Sequence, residues 1–211
     1  MALVKLNNRG VRSATAFGSI TGVGSMVLIK KLTSDGSDDD LSFVHGTSDV
    51  VLDSTYKEYL FIFKDIHPET NRAKFTFNGS IDAGSNYNVA KTTTDIYSYH
   101  NEDDTGTGVG YSAGSDLAQG TGFQALSTNL NVGNDDCFAG YLHLFNPSSD
   151  TFVKHFISRG NSSYVSSGGT AASEEDYIAG YFNTTSDIDA VQFKMDSDEI
   201  QAGTITLYGI K

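Results

Sequence analysis

The stretch "YKEYLFIFKDI", Tyr56 to Ile66, decides the fold class. Tyr59, Phe61 and Phe63 fall on one side of a two-residue period, and Tyr56, Leu60 and Ile62 fall on the other. That period belongs to a β-strand, whose successive side chains point to opposite faces. Large apolar groups on both faces mean a strand covered twice, or one whose outer face meets another subunit.

The same reading extends in both directions. "SMVLIKKL" from Ser25, "LSFVH" from Leu41 and "RAKFTFNGSI" from Arg72 are short, apolar and bounded by polar turns. So are "CFAGYLHLFN" from Cys137, "TFVKHFISRG" from Thr151, "IDAVQFKM" from Ile188 and "TITLYGI" from Thr204. Turns rich in Gly, Asn, Asp and Ser separate them, and no stretch carries helical periodicity over a helical length. Eight to ten short strands at even spacing predict an all-β, jelly-roll-like antiparallel β-sandwich over residues 26–211. Residues 1–25, small and punctuated by Gly, read as an extended N-terminal arm. Hairpins are expected over 58–81 and 140–158, and another across "DAGSN" (Asp82 to Asn86), joining "KFTFNGSI" to "YNVAKTTTDIYSYH". Asn101 to Gly122 reads as an exposed loop or weak edge strands, and Asn161 to Asp176 as a polar loop.

Composition narrows the function. The 211 residues carry a formal charge of −12, unevenly spread. Met1 to Ser34 has no carboxylate, and holds Lys5, Arg9, Arg12, Lys30 and Lys31, whereas the rest is strongly acidic. An acidic body repels phosphate backbones, so nucleic acid is not an expected partner. The basic stretch suits docking on an acidic neighbour, with Lys5, Arg9 and Arg12 as the contact residues. Cys137 stands alone, which excludes an internal disulfide and a CxxC metal site. "MALVKLNNRG" lacks the apolar segment of a secretory signal. "MVLI" and "YLFIF" are too short to insert in a membrane.

Catalytic signals are thin. "GYSAG", Gly110 to Gly114, fits the GxSxG elbow around Ser112, but that motif needs a strand turning into a helix, and here it lies among Gly, Ser and Asp. The acidic runs at Asp35–Asp40, Asn101–Asp104, Asn134–Asp136 and Asp196–Glu199 lack the spacing of a calcium loop and read as solvated turns. His143 and His155 fall on the two strands of one hairpin without metal-ligand spacing. "NGS", "NSS" and "NTT" read as polar turns. No catalytic residue, metal or cofactor is expected, and the protein reads as a non-enzyme. "DIYSYH", Asp95 to His100, is the one binding candidate: Tyr97, Tyr99 and His100 suit stacking and hydrogen bonding to a sugar.

"VKLNNRGVRSATAFGS", "STYKEYLFIF", "GYLHLFNPSSDTFVKHFIS" and "GYFNTTSDIDAVQFKMDSDEIQAGTITLYGIK" together resemble small virion structural proteins of tailed phages of marine bacteria. The likeness spans nearly the whole chain, most firmly 54–66 and 140–211. It implies a jelly-roll subunit on the surface of a phage particle, either a capsid decoration or a tail-fibre component. The implied partners are other virion proteins and further copies of itself, a homotrimer foremost. The implied location is the virion, assembled in the host cytoplasm. A carbohydrate-binding module that recognises a host surface glycan at a fibre tip is the alternative.

Overall fold

The computed structural model describes residues 25–166 and 168–211, and all its regular structure is β. Twelve strands follow in order: β1 (Met26–Thr33), β2 (Leu41–Val44), β3 (Glu58–Pro68), β4 (Phe75–Ser80), β5 (Lys91–Asn101), β6 (Thr107–Tyr111), β7 (Gln124–Ala125), β8 (Phe138–Phe145), β9 (Lys154–Val165), β10 (Ala171–Phe182), β11 (Ala190–Met195) and β12 (Ile200–Ile210). They form two antiparallel sheets packed as a sandwich. The larger has the order β1-β12-β3-β8-β9-β10-β5-β6, and the smaller β2-β11-β4-β7. The arm, with Lys5, Arg9 and Arg12, lies outside the described residues.

Four pairings are nested: β1 with β12, β2 with β11, β3 with β8, and β4 with β7. The chain therefore doubles back along its length as one long ribbon, and the ribbon wraps so that β12 also meets β3 and β11 also meets β4. Two hairpins interrupt the ribbon. One is β5–β6, and the other is β9–β10; together they widen the larger sheet by four strands.

The two-residue period of β3 places Tyr59, Phe61 and Phe63 inward, all buried. Their rings interleave with those of the opposite sheet. Phe193 on β11 lies 5.1 Å from Phe61 and 5.2 Å from Phe63, and Phe75 on β4 lies 5.1 Å from Phe63. Edge-to-face geometry at these separations adds to the gain from burial itself. The β3–β12 ladder slips near Ala202, where Asp65 and Gly203 adopt positive φ. A Cβ on Gly203 would stand 2.9 Å from Ile66 Cα and 3.0 Å from Asp65 O, so only glycine fits.

Three sequence expectations change. The 58–81 hairpin is absent, because β3 and β4 lie in opposite sheets and meet through Phe63 and Phe75. β4 and β5 do not pair across Asp82–Asn86 either: β4 is flanked by β11 and β7, so it offers β5 no free edge. The polar stretch 161–176 is not simply a loop, since Asn161–Val165 and Ala171–Asp176 lie in the paired strands β9 and β10. The 140–158 hairpin is present as β8 and β9.

Candidate functional site

Two places combine unusual chemistry with access. The first is the inner face of the widened part of the large sheet. Here β5 points Lys91, Thr93, Asp95, Tyr97 and Tyr99 inward, and β10 points Glu174 and Asp176 beside them. The segment 112–136 covers this face with polar contacts as well as with the buried Leu126 and Leu130. Leu117 N donates to Thr93 Oγ1 at 2.8 Å, and Thr128 N donates to Asp176 Oδ2 at 3.1 Å. Thr93 Oγ1 in turn donates to Gln124 Oε1 at 2.6 Å.

Buried charge without an ion-pair partner defines this chamber. Burial pushes the Asp176 carboxyl up to about 8, with Glu174 and Asp95 adding repulsion. Burial likewise lifts Asp95 to about 6, against a hydrogen bond from Ser112, and its Oδ1 has no hydrogen-bond partner. Lys91 is fully buried; its Nζ donates to Asn78 Oδ1 at 2.6 Å and Val89 O at 3.0 Å, and burial pulls it down to about 7. Desolvation disfavours the charged form of each group, which is why acid and base shift in opposite directions. Tyr164 Oη donates to Glu174 Oε2 at 3.2 Å, and burial raises the phenol to about 12.

Tyr97 and Tyr99 lie at the mouth of this chamber, half-buried, their rings stacked with centroids 6.5 Å apart. They lean across β6, where a Cβ on Gly110 would meet Tyr97 Oη at 2.7 Å and one on Gly108 would meet Tyr99 Cε1 at 2.6 Å. His100 points to the opposite face and bonds Asp104 at 3.1 Å. The structure thus brings Tyr97 and Tyr99 together, and separates them from His100 by the thickness of the sheet.

The second place is the outer face of the large sheet, which no described residue covers. One ladder row runs Leu28, Tyr208, Leu60, His143, Ile157, Ala179. Its neighbour runs Ile62, Tyr141, Arg159, Tyr177, Ile96, Tyr111. Leu28, Ile96, Tyr111 and Tyr177 are exposed, and Leu60, Ile62, Gly140, Tyr141 and His143 line a shallow depression. The outward charges of the strands balance. Lys31 and Arg159 stand against Glu58 and Glu175, Arg159 is paired with Glu175, and Lys64 is paired with Asp65 at the rim.

The other sequence candidates fall elsewhere. Ser112 closes β6 in a turn that accepts Ser115 N and Asp116 N, with no helix after it. His143 and His155 both face outward, two positions out of register, beside Tyr141 and Tyr181 respectively. The carboxylates of Asp35 and Asp38 bond their own turn, at Ser37 and at Asp35 N. Among the described residues, no group of three or more His, Cys, Asp or Glu is arranged to hold a metal ion. Asn78 of "NGS" is a core amide that donates to Tyr87 O and Thr121 O, not a surface turn. No protein family, curated protein or solved structure matches this chain.

Proposed function

We propose that this chain is a non-catalytic structural subunit displayed on a tailed-phage particle, held there by the outer face of its large sheet and by the basic segment with Lys5, Arg9 and Arg12. One observation carries the reading: a chain of net charge −12 keeps one broad face balanced in charge and rich in aromatic and aliphatic side chains. Each of the two rows crosses six strands; at ~4.8 Å between strands and about 7 Å between rows they cover on the order of 400 Å². That is about half the ~800 Å² per partner of a standard interface and comparable with the largest, often functional, patches on ordinary surfaces, so the basic segment contributes as well. The nested pairings favour a jelly roll within the sandwich, with β1-β12-β3-β8 facing β2-β11-β4-β7 and the two extra hairpins as insertions.

Immunogold labelling of phage particles whose genome encodes this chain is expected to decorate them. A Tyr141→Glu, Tyr177→Glu chain is expected to fold with unchanged melting yet fail to join the particle. Unlabelled particles, or normal incorporation of that variant, would overturn the reading. A second reading has narrower support: the stacked Tyr97 and Tyr99 beside Glu174 suit a sugar ring. Glycan-array binding abolished by Tyr97→Ala would favour it, and an array with no binding would end it.

A further inference from the structure

The two sheets have four edges, and three of them are blunted. β1 carries a bulge between Leu28 and Lys30 and two lysines. β2 has four residues and follows the acidic run Asp38–Asp40. β7 has two residues. Charges, bulges and brevity are how native sheets prevent a neighbour's strand from adding on. β6, "TGVGY", has no charge, no proline and no register slip along β5. Its central residue, Val109, is 79% exposed.

The hydrogen-bonding parity of β6 is fixed by its partner. Asn101 N donates to Gly106 O and Ser112 N donates to Asp95 O, both at 2.9 Å. Bonded pairs alternate along an antiparallel ladder, so Gly108 and Gly110 spend their backbone groups on β5. Thr107, Val109 and Tyr111 aim theirs outward from the sheet, with no backbone partner among the described residues. This set is self-complementary. With two β6 strands antiparallel and Val109 opposite Val109, Thr107 of each copy faces Tyr111 of the other. All three outward residues then sit in hydrogen-bonded pairs, each exchanging two bonds. Any slip of two residues loses at least one of those pairs. Among the described residues no strand covers this edge: on the inner face Gly108 and Gly110 lie under the rings of Tyr99 and Tyr97, and on the outer face β6 presents Thr107, Val109 and Tyr111.

We infer that a second copy of this chain pairs with β6 edge to edge, about a two-fold axis through Val109, joining the two large sheets into one. The operation keeps both outer faces on the same side, and the row that ends at Ile96 and Tyr111 meets Thr107 of the other copy, which heads the polar row Thr107, His100, Ser173. The inference rests on the edge and not on the particle, and it stands beside any three-fold contact made elsewhere. Its affinity is modest, because five-residue strands bury less than a standard interface. The turn Glu102–Asp104 of each copy comes against Asp116 of the other, so added salt strengthens the pairing by screening like charges.

The test uses the full chain. Sedimentation velocity at rising protein and salt concentration is expected to show a dimer, or an even multiple of any other oligomer, that grows with salt. Val109→Lys is expected to weaken that step by about tenfold or more while leaving the thermal melt unchanged, because the side chain is solvent-exposed. In a Cys137→Ser background, Val109→Cys is expected to form a disulfide-linked dimer on mild oxidation, since directly paired Cα atoms lie ~5.5 Å apart. Thr107→Cys should not, its two copies lying about 14 Å apart along the strands. A chain that never doubles, a doubling untouched by Val109→Lys, or equal crosslinking at both positions would overturn the inference.

Discussion

The two halves of this sandwich bury different mixtures, one almost wholly apolar and the other apolar and charged together. Between β12, β3 and β8 and the smaller sheet lie Phe43, Phe61, Phe63, Phe75, Phe138 and Phe193, ring against ring. Under β9, β10 and β5 the apolar residues Phe156, Ile178 and Phe182 share the interior with Lys91, Asp95, Ser158, Ser162, Glu174 and Asp176, roofed in part by a loop. The apolar side chains gain free energy from burial alone; the charged ones do not. Removing an apolar ring from water is favourable at any pH, whereas removing a carboxylate is favourable only once it holds a proton. The wrapped ribbon therefore supplies stability. The inserted hairpins extend the outer face, and they make part of the interior sensitive to pH.

The sharpest way to break this contrast is at its apolar centre. Phe193 is fully buried and lies within 6.2 Å, ring to ring, of Phe43, Phe61, Phe63, Phe75 and Phe77. Phe193→Ala is expected to cost about 3–5 kcal/mol in urea unfolding, nearly the same at pH 5 and pH 8. A loss below about 1 kcal/mol would mean that stability resides elsewhere.

In the polar half the sign depends on protonation. Asp176 titrates near 8 when folded and near 3.8 when unfolded, so the folded chain binds more protons between those values. Its favourable contribution is complete below about pH 4 and is lost as pH rises through 8; Asp95 adds the same trend up to about 6. Asp176→Asn is expected to be near neutral at pH 4.5 and to stabilise by roughly 1–4 kcal/mol at pH 8, as when other buried charges are removed. Equal effects at both pH values would show that the carboxyl is solvated.

Sequence legibility follows the same division. β11 and β12 announce themselves because inward Val, Phe, Met, Ile and Leu alternate with Gln, Lys and Thr, and β3 because it is apolar on both faces over a strand's length. The adjoining parts of β9 and β10, from Asn161 to Val165 and from Ala171 to Asp176, read as a loop because their inward positions include Ser162, Glu174 and Asp176. A strand that faces a polar chamber has no hydrophobic period to display. Asn78 and Lys91 were missed for a related reason: each is buried by tertiary contacts that neither residue's neighbours encode. The separation of His100 from Tyr99 was legible, since adjacent strand residues point to opposite faces. What no period reveals is which strands share a sheet. β4 and β5 flank a good turn, in which Ser85 N donates to Asp82 O, yet the chain uses that turn to change layers.

Lys91 gives the smallest and most discriminating test, because its trend runs against that of the acids. Its folded value near 7 lies below the unfolded 10.5, so the unfolded chain binds the extra proton between them. Stability from this group therefore rises with pH across 7 to 10.5, just where the contribution of Asp176 has been lost. The opposed slopes place a minimum in stability near pH 7 to 8, where many proteins are most stable. Lys91→Met removes the buried amine, while Asn78 Oδ1 keeps its bond from Gly79 N at 2.8 Å and Val89 O loses a donor. That lost bond offsets part of the gain, leaving a stabilisation of roughly 1 kcal/mol at pH 6.5 that disappears by pH 10. Unfolding followed across pH in the parent and in Lys91→Met separates the two slopes. A parent curve that peaks at pH 7 would place both the amine and the carboxyls in contact with water, and the polar half would then be surface rather than interior.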